Sequence, residues 1–284
     1  MFFSVDVYPW KSSDWPKAYA TSPYMSTNSW LFFRFLVLLF LVGHFVAHLV
    51  TFWPDEQLMY FIYLSRWATA LEVVQECIYF VLAFWGSVLL ENGLGTATLP
   101  VLVKIHMALI CMVLPTCLLT SGLYWAFSPF LPPPYVSAAV HGGDVIVFNL
   151  SFFLGRFPYA FSKCGWISVW AGSYAIFSVF HFLLKIGTDD TAPCAEYPLN
   201  ECPVYAEIDW HHPQKTALIA FGGAIVAAPL MGGLYTGLTM LRDCCDNSAK
   251  MMREATLLPQ EENVKLESGP YPSDQLKCGL NCGV

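Results

Sequence analysis

Charged side chains make up only 12% of this 284-residue sequence, whereas a soluble domain carries about a quarter. That scarcity excludes an ordinary soluble domain of this length. No basic stripe with interleaved aromatics appears, so nucleic acid is not expected as a partner despite stretches rich in tryptophan and tyrosine. No internal repeat is present. No charged ring or broken, symmetric helix pair suggests a channel or transporter. A cleavable leader is not expected either, because the first apolar run begins only at Trp30 and is too long for a signal-peptide core.

Apolar residues are abundant instead, at 56%, and they fall in long blocks. A helix needs roughly 20 mainly apolar residues to cross a hydrocarbon core of about 30 Å. Backbone groups in lipid must be paired within the segment, so such blocks become helices. The blocks predict an all-α, polytopic transmembrane bundle of six spans: Trp30–Trp53, Phe61–Leu90, Val101–Phe127, Tyr135–Gly155, Trp166–Ile186 and Ala217–Leu241. The chain then divides into a cytosolic N-terminal arm (1–29), a transmembrane domain (30–241) and a disordered cytosolic tail (242–284), polar and rich in Pro, Glu, Lys, Ser and Gly. Trp10 and Trp15 suit the arm to a membrane interface. Gly222, Gly223, Gly232, Gly233 and Gly237 give the sixth span small-residue faces for close packing, expected within the molecule.

Basic residues near the span ends set the orientation. With the N-terminus inside, Lys11, Lys17, Arg34, Lys104, Arg156, Lys163, Arg242, Lys250 and Arg253 fall on the cytosolic side, against Arg66, Lys185 and Lys215 opposite. Both termini are therefore expected in the cytosol, in the plasma membrane or the endoplasmic reticulum. Cys194 and Cys202 then lie in the one long exoplasmic loop, where a disulfide closing so short a loop contributes about 2.5 kcal/mol. Cys244 and Cys245 directly follow the last span, a position suited to palmitoylation or to two free cytosolic thiols. Cys278 and Cys282 form no prenylation box.

The polar residues inside the spans cluster towards the exoplasmic half. His44 and His48 stand one turn apart; Ser65, Thr69, Glu72 and Glu76 share one face of the second span. Tyr124 ends the third span, His141 and Asp144 begin the fourth, and His181 ends the fifth. Ionisable groups at mid-bilayer cost about 2.5 to 3.5 kcal/mol each on insertion scales, so they are expected to face one another or water. They could be satisfied packing partners, or they could be chemical. One chemistry has a Ser65 or Thr69 hydroxyl attack an ester, with His141 as base and Asp144 orienting it. The other has a histidine among His44, His48, His141 and His181, with a carboxylate, hold a metal that activates water. The signal for the metal is the weaker one, since no glutamate stands between His44 and His48 in a metalloprotease spacing, and no cofactor or metal is expected. His211-His212 reads as a surface pair.

Ser29-Trp30-Leu31-Phe32-Phe33-Arg34, Tyr60-Phe61-Ile62-Tyr63-Leu64-Ser65-Arg66-Trp67 and Thr120-Ser121-Gly122-Leu123-Tyr124-Trp125 resemble successive signatures of the rolling stone family. His141-Gly142-Gly143-Asp144 and Tyr205-Ala206-Glu207-Ile208-Asp209-Trp210-His211-His212-Pro213 continue in the same order, so the likeness runs from about Ser29 to Arg242. The resemblance implies a multispan membrane protein associated with cell fusion in muscle formation. It implies, more distantly, similarity to the androgen-induced membrane hydrolases, which cleave fatty acid esters of hydroxy fatty acids with an intramembrane threonine and histidine. Their threonine position falls on Ser65. Their catalytic histidine position is Asp144 here, and His141 matches the first histidine of their His-x-x-His pair. The expected function is thus that of a rolling stone-like integral membrane protein with a polar exoplasmic pocket, acting in cell-surface or membrane-fusion events with membrane lipids as partners. The alternatives are an intramembrane serine/threonine lipid-ester hydrolase and a metal-dependent intramembrane hydrolase.

Overall fold

The computed structural model describes residues 14–56, 61–94, 100–127, 139–157, 159, 161–187, 197–205 and 207–257. Among the described residues every regular element is a helix. They are α1 (Trp15–Ala20), α2 (Thr27–Glu56), α3 (Leu64–Glu91), α4 (Val101–Phe127), α5 (Asp144–Leu154), α6 (Gly165–Leu183), α7 (Pro213–Ala217) and α8 (Gly223–Leu257). A single π-helical turn leads into α5, and another joins α7 to α8. Five stretches are long and apolar enough to cross a membrane: Thr27–Phe52, Leu64–Glu91, Val101–Trp125, Phe161–Leu183 and Pro213–Cys245. This is the architecture of an integral membrane protein. The expected fourth span is a shorter apolar helix, His141–Leu154, and the start proposed for it at Tyr135 lies outside the described residues.

Burial is organised as lipid requires. Phe32, Leu39, Val50, Phe84, Ile146, Phe180 and Leu230 face outward, whereas Arg34, Glu72, Gln75, Glu76, His106 and Asp144 are buried. Apolar side chains meet hydrocarbon at no cost, while polar ones need partners inside the bundle. The apolar core runs through Trp30, Leu41, Tyr79, Leu82, Leu114, Phe148 and Tyr235.

Trp15 packs inside the protein. It is fully buried, with its ring edge-on to Trp85 and to Tyr19, and Trp10 lies outside the described residues. Short α1 begins with Pro16 in its first turn, where the missing amide proton is harmless. It docks on α3 at Gly86, where any Cβ would stand 2.8 Å from the Pro16 carbonyl oxygen. Trp30 Nε1 fastens it to α2 by donating to the Tyr19 carbonyl at 2.9 Å.

Pro115 stands inside α4 and cannot donate to the Cys111 carbonyl. Tyr159 supplies the missing proton to that oxygen at 3.4 Å, and Tyr235 donates to the neighbouring Leu114 carbonyl at 3.0 Å. Arg242, at the end of the last span, donates to the Phe152 and Phe157 carbonyls at 3.1 and 2.7 Å, which ties α8 to the end of α5. Of the glycines in this span, Gly232 meets Cys164, and a Cβ there would lie 2.5 Å from the cysteine Cβ. Gly223, Gly233 and Gly237 have open space at that position, so close packing rests on Gly232.

The chain divides into two compact units, the first of them Met1–Cys244. The second, Cys245–Val284, is helical through Leu257, and residues 258–284, with Cys278 and Cys282, lie outside the described ones. Lys250, Met251, Met252, Arg253, Glu254 and Ala255 are good helix formers, and no breaker precedes Pro259, so the helix outlasts the apolar run.

Candidate functional site

Three helices converge on one buried polar centre. α2 brings His44, α3 brings Glu72 and the start of α5 brings Asp144; one ligand-type atom from each lies within 4.8 Å of the other two. His44 Nδ1 is 3.0 Å from the Phe40 carbonyl oxygen, which only accepts, so this nitrogen carries the proton. In the neutral imidazole Nε2 then carries the lone pair, 3.2 Å from Asp144 Oδ1. Cys117 of α4 borders both Glu72 and Asp144. Glu72 Oε2, both Asp144 oxygens and His44 Nε2 make no hydrogen bond of ordinary geometry, while the Glu72 carboxyl lies within range of Asp144 and of the Cys117 thiol.

A second layer lies one turn further along. His48 packs its ring on Phe52 and lies near Arg66 and His141. The His141 ring stacks on Tyr124 with centroids 3.9 Å apart, and Trp125 Nε1 donates to the His141 carbonyl at 2.9 Å. Thr69 donates its hydroxyl to the Ser65 carbonyl at 3.0 Å, a bond made within its own helix. Among the described residues no hydrogen bond joins the Ser65 or Thr69 hydroxyl to a histidine.

Glu76, expected in the same pocket, is held elsewhere. It forms a buried ion pair with Arg34, whose guanidinium lies 3.6 Å from the centroid of the Tyr79 ring. Next to it, Gln75 Nε2 lies 2.8 Å from His106 Nε2, and His106 Nδ1 lies 2.8 Å from the Tyr19 hydroxyl. The amide nitrogen can only donate, so His106 Nε2 accepts and Nδ1–H donates to Tyr19. Arg34, Gln75, Tyr79 and Ser151 line a small cavity between α2, α3, α4 and α5, with room for little more than one water molecule. None of Arg34, Gln75, His106 and Tyr79 was marked from sequence as part of a site. The signal was available for His106 and Arg34, because an ionisable residue inside a span demands a partner.

His181 also stands apart. Its Nε2–H donates to the Gly187 carbonyl at 2.7 Å, and with Tyr174 and Ser178 it lines a pocket beneath residues 200–205. Trp210 Nε1 donates to Ser178 at 3.1 Å, and the Leu64 amide donates to the Tyr205 hydroxyl at 3.1 Å, so this loop is fastened to the ends of α6 and α3. Cys202 is buried in the loop, and Cys194 lies outside the described residues. His211 is more than a surface residue: its ring stacks on Tyr197 at 3.9 Å and its Nδ1 meets Asp209 at 2.8 Å, while its neighbour His212 is mostly exposed. Partial burial pushes the Asp209 carboxyl up, but hydrogen bonds from the His211 amide and ring and from Tyr197 outweigh it and hold the group below its ordinary range. Glu201 is held low by the Lys185 ammonium, at 2.6 Å.

The fold and the two polar layers define a polytopic helical membrane protein with a buried histidine–carboxylate centre. A scan against protein-family models, a search of curated proteins and a search of solved structures each return no match.

Proposed function

We propose that the chain acts as an integral membrane protein in cell-surface or membrane-fusion events, with residues 197–212 on the exoplasmic face and both termini in the cytosol. One observation carries this reading. The loop is a folded surface rather than a slack connection, held by Trp210 on Ser178, Tyr205 on the Leu64 amide, and the Tyr197–His211–Asp209 contact. A surface of fixed shape at one end of a bundle suits recognition of another membrane or protein. The excess of basic residues at the opposite end and the rolling stone-like motifs support the same reading, as would a Cys194–Cys202 bridge and lipids packed around the outward apolar faces. Cys244 and Cys245 are both exposed, as palmitoylation requires.

The serine/threonine hydrolase reading has less support. The Thr69 hydroxyl is engaged within its own helix, and the His141 ring is stacked on Tyr124, with no hydrogen bond to Ser65 or Thr69 among the described residues. Labelling of the purified protein with a fluorophosphonate probe tests this: the present reading expects no label on Ser65 or Thr69. In parallel, Trp210→Ala should impair cell aggregation or fusion promoted by the protein at unchanged surface expression, and an unimpaired variant would overturn the role of the loop.

A further inference from the structure

We propose that His44, Glu72 and Asp144 are the protein ligands of a divalent transition-metal ion of the zinc type, tying α2, α3 and α5 together. The charge balance leads there first. Two carboxyl groups lie side by side in the bundle, and the imidazole beside them, when neutral, turns a lone pair towards them. A neutral nitrogen facing a carboxylate oxygen at 3.2 Å is repulsive unless something positive lies between them. All three side chains are more than nine-tenths buried, and four of their polar atoms lack a hydrogen bond of ordinary geometry.

The ligand geometry fits as well. Ligand atoms about 2.0 to 2.1 Å from a tetrahedral zinc ion stand about 3.3 Å from each other, and the His44–Asp144 separation of 3.2 Å matches that edge. Glu72 needs only a side-chain adjustment, since its oxygen is already within 4.8 Å of both. The bond from His44 Nδ1–H to the Phe40 carbonyl is the outer support that a metal-bound imidazole usually has, because it fixes the tautomer and aims the other nitrogen. One imidazole and two carboxylates, a mixed nitrogen and oxygen set, suit zinc or a similar ion better than the all-oxygen shells of calcium or magnesium. Three protein ligands leave a fourth position for a water or a carbonyl or ester oxygen.

The competing explanation is that protons alone balance the cluster. Metal analysis of the full-length protein, purified in detergent without chelator, separates the two. The proposal expects about one zinc-type ion per chain, falling roughly tenfold or more in His44→Gln and in Asp144→Asn. Variants that fail to fold do not spoil the test, because the wild-type protein answers alone. After stripping with chelator, zinc or cobalt chloride should raise its melting temperature by several degrees, and cobalt should give the visible absorption of a four-coordinate ion. Magnesium should do neither. A stripped wild-type protein whose melting temperature ignores zinc and cobalt, or metal retained equally by Asp144→Asn, would overturn the proposal in favour of protons or of adventitious metal.

Discussion

Glu72 and Glu76 stand one turn apart on α3 and yet belong to different centres. Glu72 faces His44 and Asp144, and Glu76 is paired with Arg34 against Tyr79. A turn of helix is about 5.4 Å, enough to carry the second carboxylate past the gap between α2 and α5. The two glutamates therefore belong to two clusters rather than one continuous pocket.

The Arg34–Glu76 pair is the clearest test of the lower cluster. Removing the guanidinium leaves a buried carboxylate without its partner, so Arg34→Met should lower stability by about 3 to 5 kcal/mol. Replacing both residues with Met should recover much of that loss, since an apolar pair has no charge to desolvate. Unfolding in detergent measures both. Equal losses in the single and double variants would argue against the pair.

The spans were legible in the sequence because lipid imposes one rule on every residue of an apolar block. The expected Trp30–Trp53 and Val101–Phe127 are close to Thr27–Phe52 and Val101–Trp125. His44, Glu72 and Asp144 were legible for the same reason, as ionisable residues at similar depth. The sequence reading also grouped Glu76 and His181 with them, and the structure places both elsewhere, because periodicity states which residues share a face without stating what that face meets. Arg34 served only as an orientation marker, although its position several residues inside a span implied a buried partner. Helix α1 was passed over because six residues show no period, and its signal was local: Asp14 before Trp15-Pro16.

Gly86 lets α1 reach α3. Gly86→Leu puts a side chain where the Pro16 backbone stands, and backbone cannot step aside as a side-chain tip can. The variant should release α1 while leaving the spans helical. Trp15 and Trp85 fluorescence should then shift to the red, and protease should cut between residues 14 and 26. Wild-type spectra and resistance would contradict this docking.

Helices α3 and α6 end alike. Gly93 and Lys185 both adopt positive φ, and the next amide reaches back to Leu89 or His181. A left-handed lysine costs about 1 to 2 kcal/mol relative to glycine, and the exposed contact with Glu201 returns little. Lys185→Gly should therefore stabilise the protein by about 1 kcal/mol, seen as a higher melting temperature. Destabilisation would show that the Glu201 contact outweighs the backbone strain.

The loop should loosen in acid. Asp209 and Glu201 are both held below their ordinary values, so the unfolded loop binds protons more readily than the folded one. Their stabilisation is full above the ordinary carboxylate range, about pH 4 to 5, and is lost as pH falls through the depressed folded values. Trp210 fluorescence should be constant from pH 7 to about 5 and change below about 4. Asp209→Asn should weaken that transition; an unchanged acid transition in the variant would remove Asp209 from the account.

The central claim is a membrane-embedded bundle that presents a folded loop on the exoplasmic side, and mapping its topology in intact cells tests it most directly. An Asn-Gly-Thr glycosylation acceptor placed after Asp190 should be glycosylated, and tags at both termini should resist external protease until the membrane is permeabilised. An unmodified acceptor together with tags digested in intact cells would invert the orientation and contradict the account.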